Sequence, residues 1–398
     1  MRVRTSTLLL VRSRSNAPYE LPYAFCLLPH PPPMIELGVP PGIVPAEAAF
    51  SLDGEPEPRL TPALVSLTVA ETIEGLYRCE ARFTNWGDRG NGPDYLYFDR
   101  DLLDFGKEIS VTLGAGDEGI EAFKGRIMAL EGQFLAGEPP QIVVLAEDAA
   151  QALRQTRRTR TFEGVTDGEV FEQIANDHGL QPEIDLTDPP RLAVIAQLNQ
   201  SDLAFLRSRA RRLAAETWIE GTTLHVQGRQ ARQQSDEQLV LVLNRGLLEF
   251  SVIADTADQY TQVVVSGWDV QAKERLEHEA DDSLLSNELE GLTSGASIVS
   301  EAFGDRPDRI AQQMPLTATE TQAIAEGSFR AQARRFVVGT GKARGDARIR
   351  VGRAIDLQGL GPLFSGRYTV SEVHHSFSRQ PGGGYLTEFV VERPGLGA

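Results

Sequence analysis

Cysteine is nearly absent from this 398-residue chain, with Cys26 and Cys79 its only two. That excludes a disulfide framework, and no CxxC or Cys/His spacing points to zinc. Positive charge is also scarce: 39 Lys and Arg stand against 56 Asp and Glu, a net charge of −17. Such a surface repels phosphate backbones, so general nucleic-acid binding is disfavoured. No apolar run approaches the ~18 residues of a membrane span, so no stable membrane insertion is expected. The short stretch TLLLV, flanked by arginines, falls below the about 7–15 residues of a signal-peptide core. Residues 1–33 end in the proline-rich PHPPP, which obstructs helix and sheet alike. They read as a poorly ordered extension, with Met34 as an alternative start.

What is present is an ordinary globular composition, 41% hydrophobic and 24% charged. At roughly 100–200 residues per domain the chain has room for two to four domains. Residues 34–150 read as strands. LVSLTVAETIEGLYRCEARFTNW alternates apolar and polar residues, and ISVTL, GRIMALEGQF and QIVVLAED continue the pattern between the turn-like clusters GAGDEG and LAGEPP. Residues 151–246 change character. VTDGEVFEQIANDHGL predicts a helix with Asp167 as N-cap and Gly179 just past its end. NQSDLAFLRSRARRLAAETWIEGTTLHVQ predicts a helix capped at Ser201 that runs into a strand pair. Residues 247–398 return to strands through LLEFSVIAD and YTQVVVSGWD. They then cross an acidic, aromatic-poor connector at about 272–317, and TATETQAIAEGSFRAQARRF predicts a helix weakened internally by Gly327. The segment closes with strands joined by a PGGG hairpin.

Two of these stretches resemble each other. GKEISVTL and FKGRIMALE in the first align with GRAIDLQG and FSGRYTVSE in the second. The alignment pairs Gly106 with Gly352, Phe123 with Phe364, Gly125 with Gly366 and Arg126 with Arg367. It reads as one barrel-like unit used twice, with Gly125 and Gly366 at a turn or bulge. The fold class is therefore mainly β, two related β-barrel-like domains with an α+β module between them.

Catalytic and cofactor signals are thin. His374 and His375 are adjacent on one strand and point to opposite faces, so they do not share a metal. GTGKARG at 339–345 lacks the spacing and the Ser or Thr of a phosphate loop and reads as a loop before a strand. No G-x-S-x-G elbow or H-E-x-x-H occurs, and no cofactor is implied. The basic clusters Arg154, Arg157, Arg158, Arg160 and Arg207, Arg211 stand out against the acidic background. They read either as a solvated face with ion pairs or as a contact for an acidic neighbouring subunit; nucleic acid comes third.

TFEGVTDGEVFEQIANDHGL, NQSDLAFLRSRARRLAAETWIEGTTLHV, LLEFSVIADTADQYTQVVVSGWDVQAK and the closing GRAIDLQGLGPLFSGRYTVSEVHHSFSRQPGGGYLTEFVVERP resemble, in this order, the phage late control D proteins. The resemblance implies a non-enzymatic hub of a contractile tail or injection-system baseplate, similar to the hub portion of VgrG. It implies a ring-forming homotrimer that adapts a sixfold tail tube protein to a threefold spike. With no β-helical segment before Ala398, the spike is expected to be a separate protein. A LysM-type adaptor and other baseplate proteins are further expected partners. The chain would be cytoplasmic during assembly and then part of a particle. A tail-associated cell-wall hydrolase is the alternative reading.

Overall fold

A computed structural model describes residues 47–114, 119–186, 189–233, 239–270, 272–311, 315–379 and 383–397. The amino-terminal extension, the core of GAGDEG and the first half of PGGG lie outside the described residues. Longer elements are numbered here in chain order. The first set is β1 (Glu47–Leu52), α1 (Leu60–Ala63), β2 (Leu64–Thr72), β3 (Arg78–Thr84), β4 (Glu108–Gly114), β5 (Ile120–Gln133) and β6 (Gln141–Glu147). The alternating text at 64–84 folds as the expected antiparallel hairpin β2–β3. Its inward residues, Leu67, Val69, Cys79, Ala81 and Phe83, join Phe50, Ile109, Val111 and Val144 in one core.

The middle region holds α2 (Ala150–Arg154), β7 (Arg157–Val165), α3 (Asp167–Asp177), β8 (Gln181–Asp185), β9 (Leu192–Ser201), α4 (Asp202–Arg212), β10 (Ala215–Glu220), β11 (Thr223–Gly228) and α5 (Arg229–Arg232). Ser201 caps α4 as expected, accepting from the Ala204 amide. The cap of α3 is Thr166, not Asp167: Thr166 and Glu169 form a reciprocal capping box. Asp167 is buried instead, with both carboxylate oxygens on Arg209 of α4, which ties the two helices together.

The remainder holds β12 (Leu239–Leu243), β13 (Gly246–Ala254), β14 (Gln262–Asp269), β15 (Glu274–Ala280), α6 (Gly295–Phe303), β16 (Pro307–Ile310), α7 (Ala318–Ala333), β17 (Val337–Arg344), β18 (Ala354–Gln358), β19 (Gly366–Ser378) and β20 (Gly384–Arg393). Four expectations are corrected here. YTQVVVSGWD does not enter the second barrel; it forms β14, the centre of a separate sheet β15–β14–β16. The acidic connector, read as an insertion or mobile stretch more than core, is an insertion that does supply core. Its sparse apolar residues, among them Ala280, Leu285 and Ala296, pack with Val263 and Val265 against Ile324, Ala325 and Phe329 of α7. Gly327 is likewise no weak point: a Cβ there would lie 2.4 Å from the Arg212 carbonyl oxygen, so glycine lets α7 meet the end of α4. GTGKARG lies mostly within β17 rather than before a strand. Gly339 and Gly341 make room for the rings of Phe250 and Phe389, which a Cβ would approach to 2.4 and 2.3 Å.

One continuous sheet carries both β units. Strands β12-β18-β19-β20-β17-β13 close a six-stranded barrel, because β12 also pairs with β13. The first unit runs β1-β4-β5-β6-β3-β2 and stays open between β1 and β2. There α1 fills the gap, burying Leu60 and donating the Thr61 hydroxyl to the Ala48 carbonyl at 3.0 Å. The order β4-β5-β6-β3-β2 matches β18-β19-β20-β17-β13, with antiparallel neighbours throughout. The bulges match as well. Val65 and Leu248 are extra residues at corresponding rungs, and so are Met128 and Ser371. The outermost strands differ: β1 is antiparallel to β4, whereas β12 is parallel to β18.

This register fixes which residues correspond. Gly106 and Gly352 do: both have positive φ, 79° and 83°, and both donate 2.8 Å hydrogen bonds, to Ile127 and Val370. The F-x-G-R alignment is displaced by two residues, because Ile109 faces Gly125 while Ile355 faces Tyr368. The counterparts of Phe123, Gly125 and Arg126 are therefore Gly366, Tyr368 and Thr369, not Phe364, Gly366 and Arg367. Gly125 is not at a bulge: its absent Cβ leaves space for the Glu147 carbonyl oxygen, which would be 2.3 Å away.

Candidate functional site

The six arginines singled out from the sequence all have partners within the chain. Arg160 donates to Gln197 at 2.8 Å, to Asp177 at 2.7 Å and to Asp202 at 2.9 Å. Arg158 reaches Asp202 at 3.2 Å, and Arg157 donates to the Asn199 carbonyl at 3.1 Å. Burial favours the neutral form of Asp202, but His178, Gln197, Arg160 and Arg158 outweigh it and hold the carboxyl below its ordinary range. Arg154 pairs with Glu147 and Arg211 with Glu74. Arg207 donates to the carbonyls of Glu74 and Gly75 at 2.6 and 3.0 Å. These groups clamp the middle region and the β2–β3 turn. The carboxylates and carbonyls they bind are supplied by other parts of the same chain.

Sequence reasoning missed a buried charged seam where α5 meets both β units. Arg229 donates to Glu216 at 3.0 Å and to Glu392 at 2.5 Å, and Arg232 donates to Glu216 at 3.0 Å and to the Tyr77 hydroxyl at 2.8 Å. The Arg232 guanidinium lies 4.1 Å from the centre of the Trp218 ring. Burial disfavours a charged Arg229, but Glu392 and Glu216 outweigh it and raise its pKa. Glu71 forms an ion pair with Arg350 and accepts from the Val351 amide at 3.1 Å; burial nevertheless pushes its carboxyl up. The only sequence signal was RQAR after a strand, and its partners come from distant segments.

A hydrolase needs carboxylates poised in a cleft. The cleft of about 710 Å³ between the middle region and α7 has Glu288 and Glu326 on its walls. Glu288 is gripped by Arg334, and Glu326 pairs with Arg330 at 3.2 Å. Asp148 borders a second cavity, and burial raises its pKa to about 6. Its oxygens are occupied by the amides of Tyr77 and Ala150, both at 2.9 Å. Buried His375 meets Tyr385 and Thr387 at 2.9 and 3.1 Å, and burial pushes it down to about 3. Among the described residues, no group of His, Cys, Asp or Glu is arranged to hold a metal, and no helix is long and apolar enough to cross a membrane.

What the molecule does expose is apolar surface in the β3–β4 connection, just past β5 and on β13. Trp86, Tyr95, Phe98 and Phe134 form an exposed aromatic cluster with ring centroids 5.1 to 6.4 Å apart. Ile253, on the rim of β13, is also exposed. Patches of this kind mark contact sites on soluble proteins.

The fold is shared with tail proteins. The 43 kDa tail protein of prophage MuSo2 from Shewanella oneidensis superposes with a TM-score of 0.63 at 11% identity, over 88% of this chain and 98% of that one. A tail protein from Neisseria meningitidis MC58 gives 0.62 at 12% identity, over 89% and 98%. An E. coli type VI secretion component, described as structurally similar to T4 tail proteins gp27 and gp5, gives 0.53 at 12% identity, over 83% and 73%. No curated protein matches the sequence. A family model, the Alg8 N-terminal domain, matches residues 62–379. With that match spanning most of its length, the chain belongs to the Alg8 N-terminal domain family.

Proposed function

We propose that this chain is a structural baseplate hub of a contractile phage tail or phage-tail-like injection system, of the late control D type. Three copies form a ring in which two β units per chain offer six similar positions to a tube protein, while the threefold face receives a spike protein. The observation that carries this reading is the strand order repeated with the same two bulges. A symmetry adaptor requires such duplication, because three identical chains match a sixfold partner only if each presents two equivalent surfaces. The tail-protein fold supports the same reading. The domains are then a first unit at 34–150, a middle module from 151 and a second unit at 239–398. The last boundary is set by β12 (Leu239–Leu243), which closes the second barrel rather than belonging to the middle module as a boundary at 246/247 would have it. The second unit carries the β14–α7 subdomain between β13 and β17, where the first has only the β2–β3 turn.

Light scattering coupled to size exclusion tests the reading. The expected mass is three times that of the chain, with added tube protein binding one face of the particle. A monomer at every concentration, indifferent to tube and spike proteins, refutes it.

A further inference from the structure

Within one chain the two β units are joined by a single ladder. On one flank β19 pairs with β20; on the other it pairs first with β18 and then, from Glu372 to Ser378, with β2. Phe377 sits opposite Leu67 and is 8% exposed, sealed into the core of the first unit. The register of the repeat carries each member of this joint onto a counterpart. Met128 corresponds to Ser371, so the stretch 372–378 of β19 corresponds to 129–135; Val65 corresponds to Leu248, so 66–72 of β2 corresponds to 249–255.

Both counterparts are present and neither has its partner. Past Ile127, β5 pairs with β6 alone. Past Leu247, β13 pairs with β17 alone. The counterpart of sealed Phe377 is Phe134, which is 64% exposed, and the counterpart of Leu67 is Phe250. Long unpaired edges with exposed apolar side chains are sites for strand addition.

We infer that β5 of one copy, continued through Phe134 and Leu135, pairs antiparallel with β13 of the next copy. Glu131 lies opposite Ile253 and Phe134 opposite Phe250. The contact is head-to-tail, so it generates a ring in which joints within chains alternate with joints between chains. Three copies give six joints of one kind. The inference rests on the homotrimeric hub reading and adds the strands, register and anchoring side chain of its interface.

Ile73 donates to the Ser371 carbonyl at 3.0 Å, making that rung a hydrogen-bonded pair. By alternation, His374 opposite Ala70 is a non-hydrogen-bonded pair, and so is its counterpart Glu131 opposite Ile253. Side chains at such rungs are close enough for a disulfide. The test is E131C/I253C in a C26S background, oxidised mildly and run on a non-reducing gel. A ladder of linked dimer and trimer is expected, with little or none for the register-shifted E131C/E249C. Phe134→Ser is expected to keep the fold of the single chain, judged by circular dichroism, and to weaken association roughly 10- to 100-fold. A trimer by mass with no E131C/I253C ladder overturns the pairing and leaves the hub reading standing. A monomer at every concentration overturns both.

Discussion

Replacing Arg229 with Met tests whether the buried seam holds the middle module onto the second β unit. The three side chains Arg229, Glu216 and Glu392 are each about a tenth exposed or less, so solvent screens them little. Removing the cation strands two buried carboxylates unequally: Glu216 keeps Arg232 at 3.0 Å, whereas Glu392 loses its 2.5 Å partner. Breaking a buried pair from one side costs about 3–5 kcal/mol, and the retained Arg232 contact places this case near the lower end. The assay is urea unfolding followed by Trp218 fluorescence in a W86F/W268F background, since Trp218 stacks on Arg232 inside the seam. R229M is expected to destabilise the first transition by about 3 kcal/mol. R229M/E392L is expected to recover at least half of that, because the carboxylate left without its partner is removed as well. A loss below about 1 kcal/mol, or strict additivity in the cycle, would refute the claim that these charges depend on one another.

Further outcomes follow from single contacts. Gly327→Ala drives a Cβ toward the Arg212 carbonyl and is expected to lower stability by about 1–3 kcal/mol, read from the same urea curves. Gly125→Ala meets the Glu147 carbonyl and is expected to do the same in the first β unit. His375 has its folded pKa depressed to about 3, so the unfolded chain takes up its proton first as pH falls below about 6.5. Its contribution is intact above that pH and erodes toward pH 3. Between pH 6.5 and 5 the loss is about 2 kcal/mol, and it should vanish from thermal melts of His375→Asn.

Local patterns were legible in the sequence where local physics decides. The β2–β3 hairpin, the Ser201 cap and Gly179 past the end of α3 follow from alternation and from φ preference. The repeat was visible through Gly106 and Gly352, because each needs a positive φ. Its register was not, because the extra residues at the bulges are common types that mark nothing by themselves, Val65 with Leu248 and Met128 with Ser371, while F-x-G-R matched by type alone. The acidic segment hid its subdomain because its few apolar residues become a core only when α7 supplies the other half. The arginine clusters showed their charge but not their targets: Arg207 finds Glu74, and Arg229 finds Glu392, through tertiary proximity alone.

The shared strand also dictates an order of events at birth. Leu67 leaves the ribosome about 310 residues before its cross-strand mate Phe377. Until β19 is made the first β unit must therefore wait with one flank unzipped and its hydrophobic interior uncapped. Such long-range closure is slow and exposes the nascent chain to wrong partners. Truncations that remove β19 should consequently misfold the first β unit as well as the second.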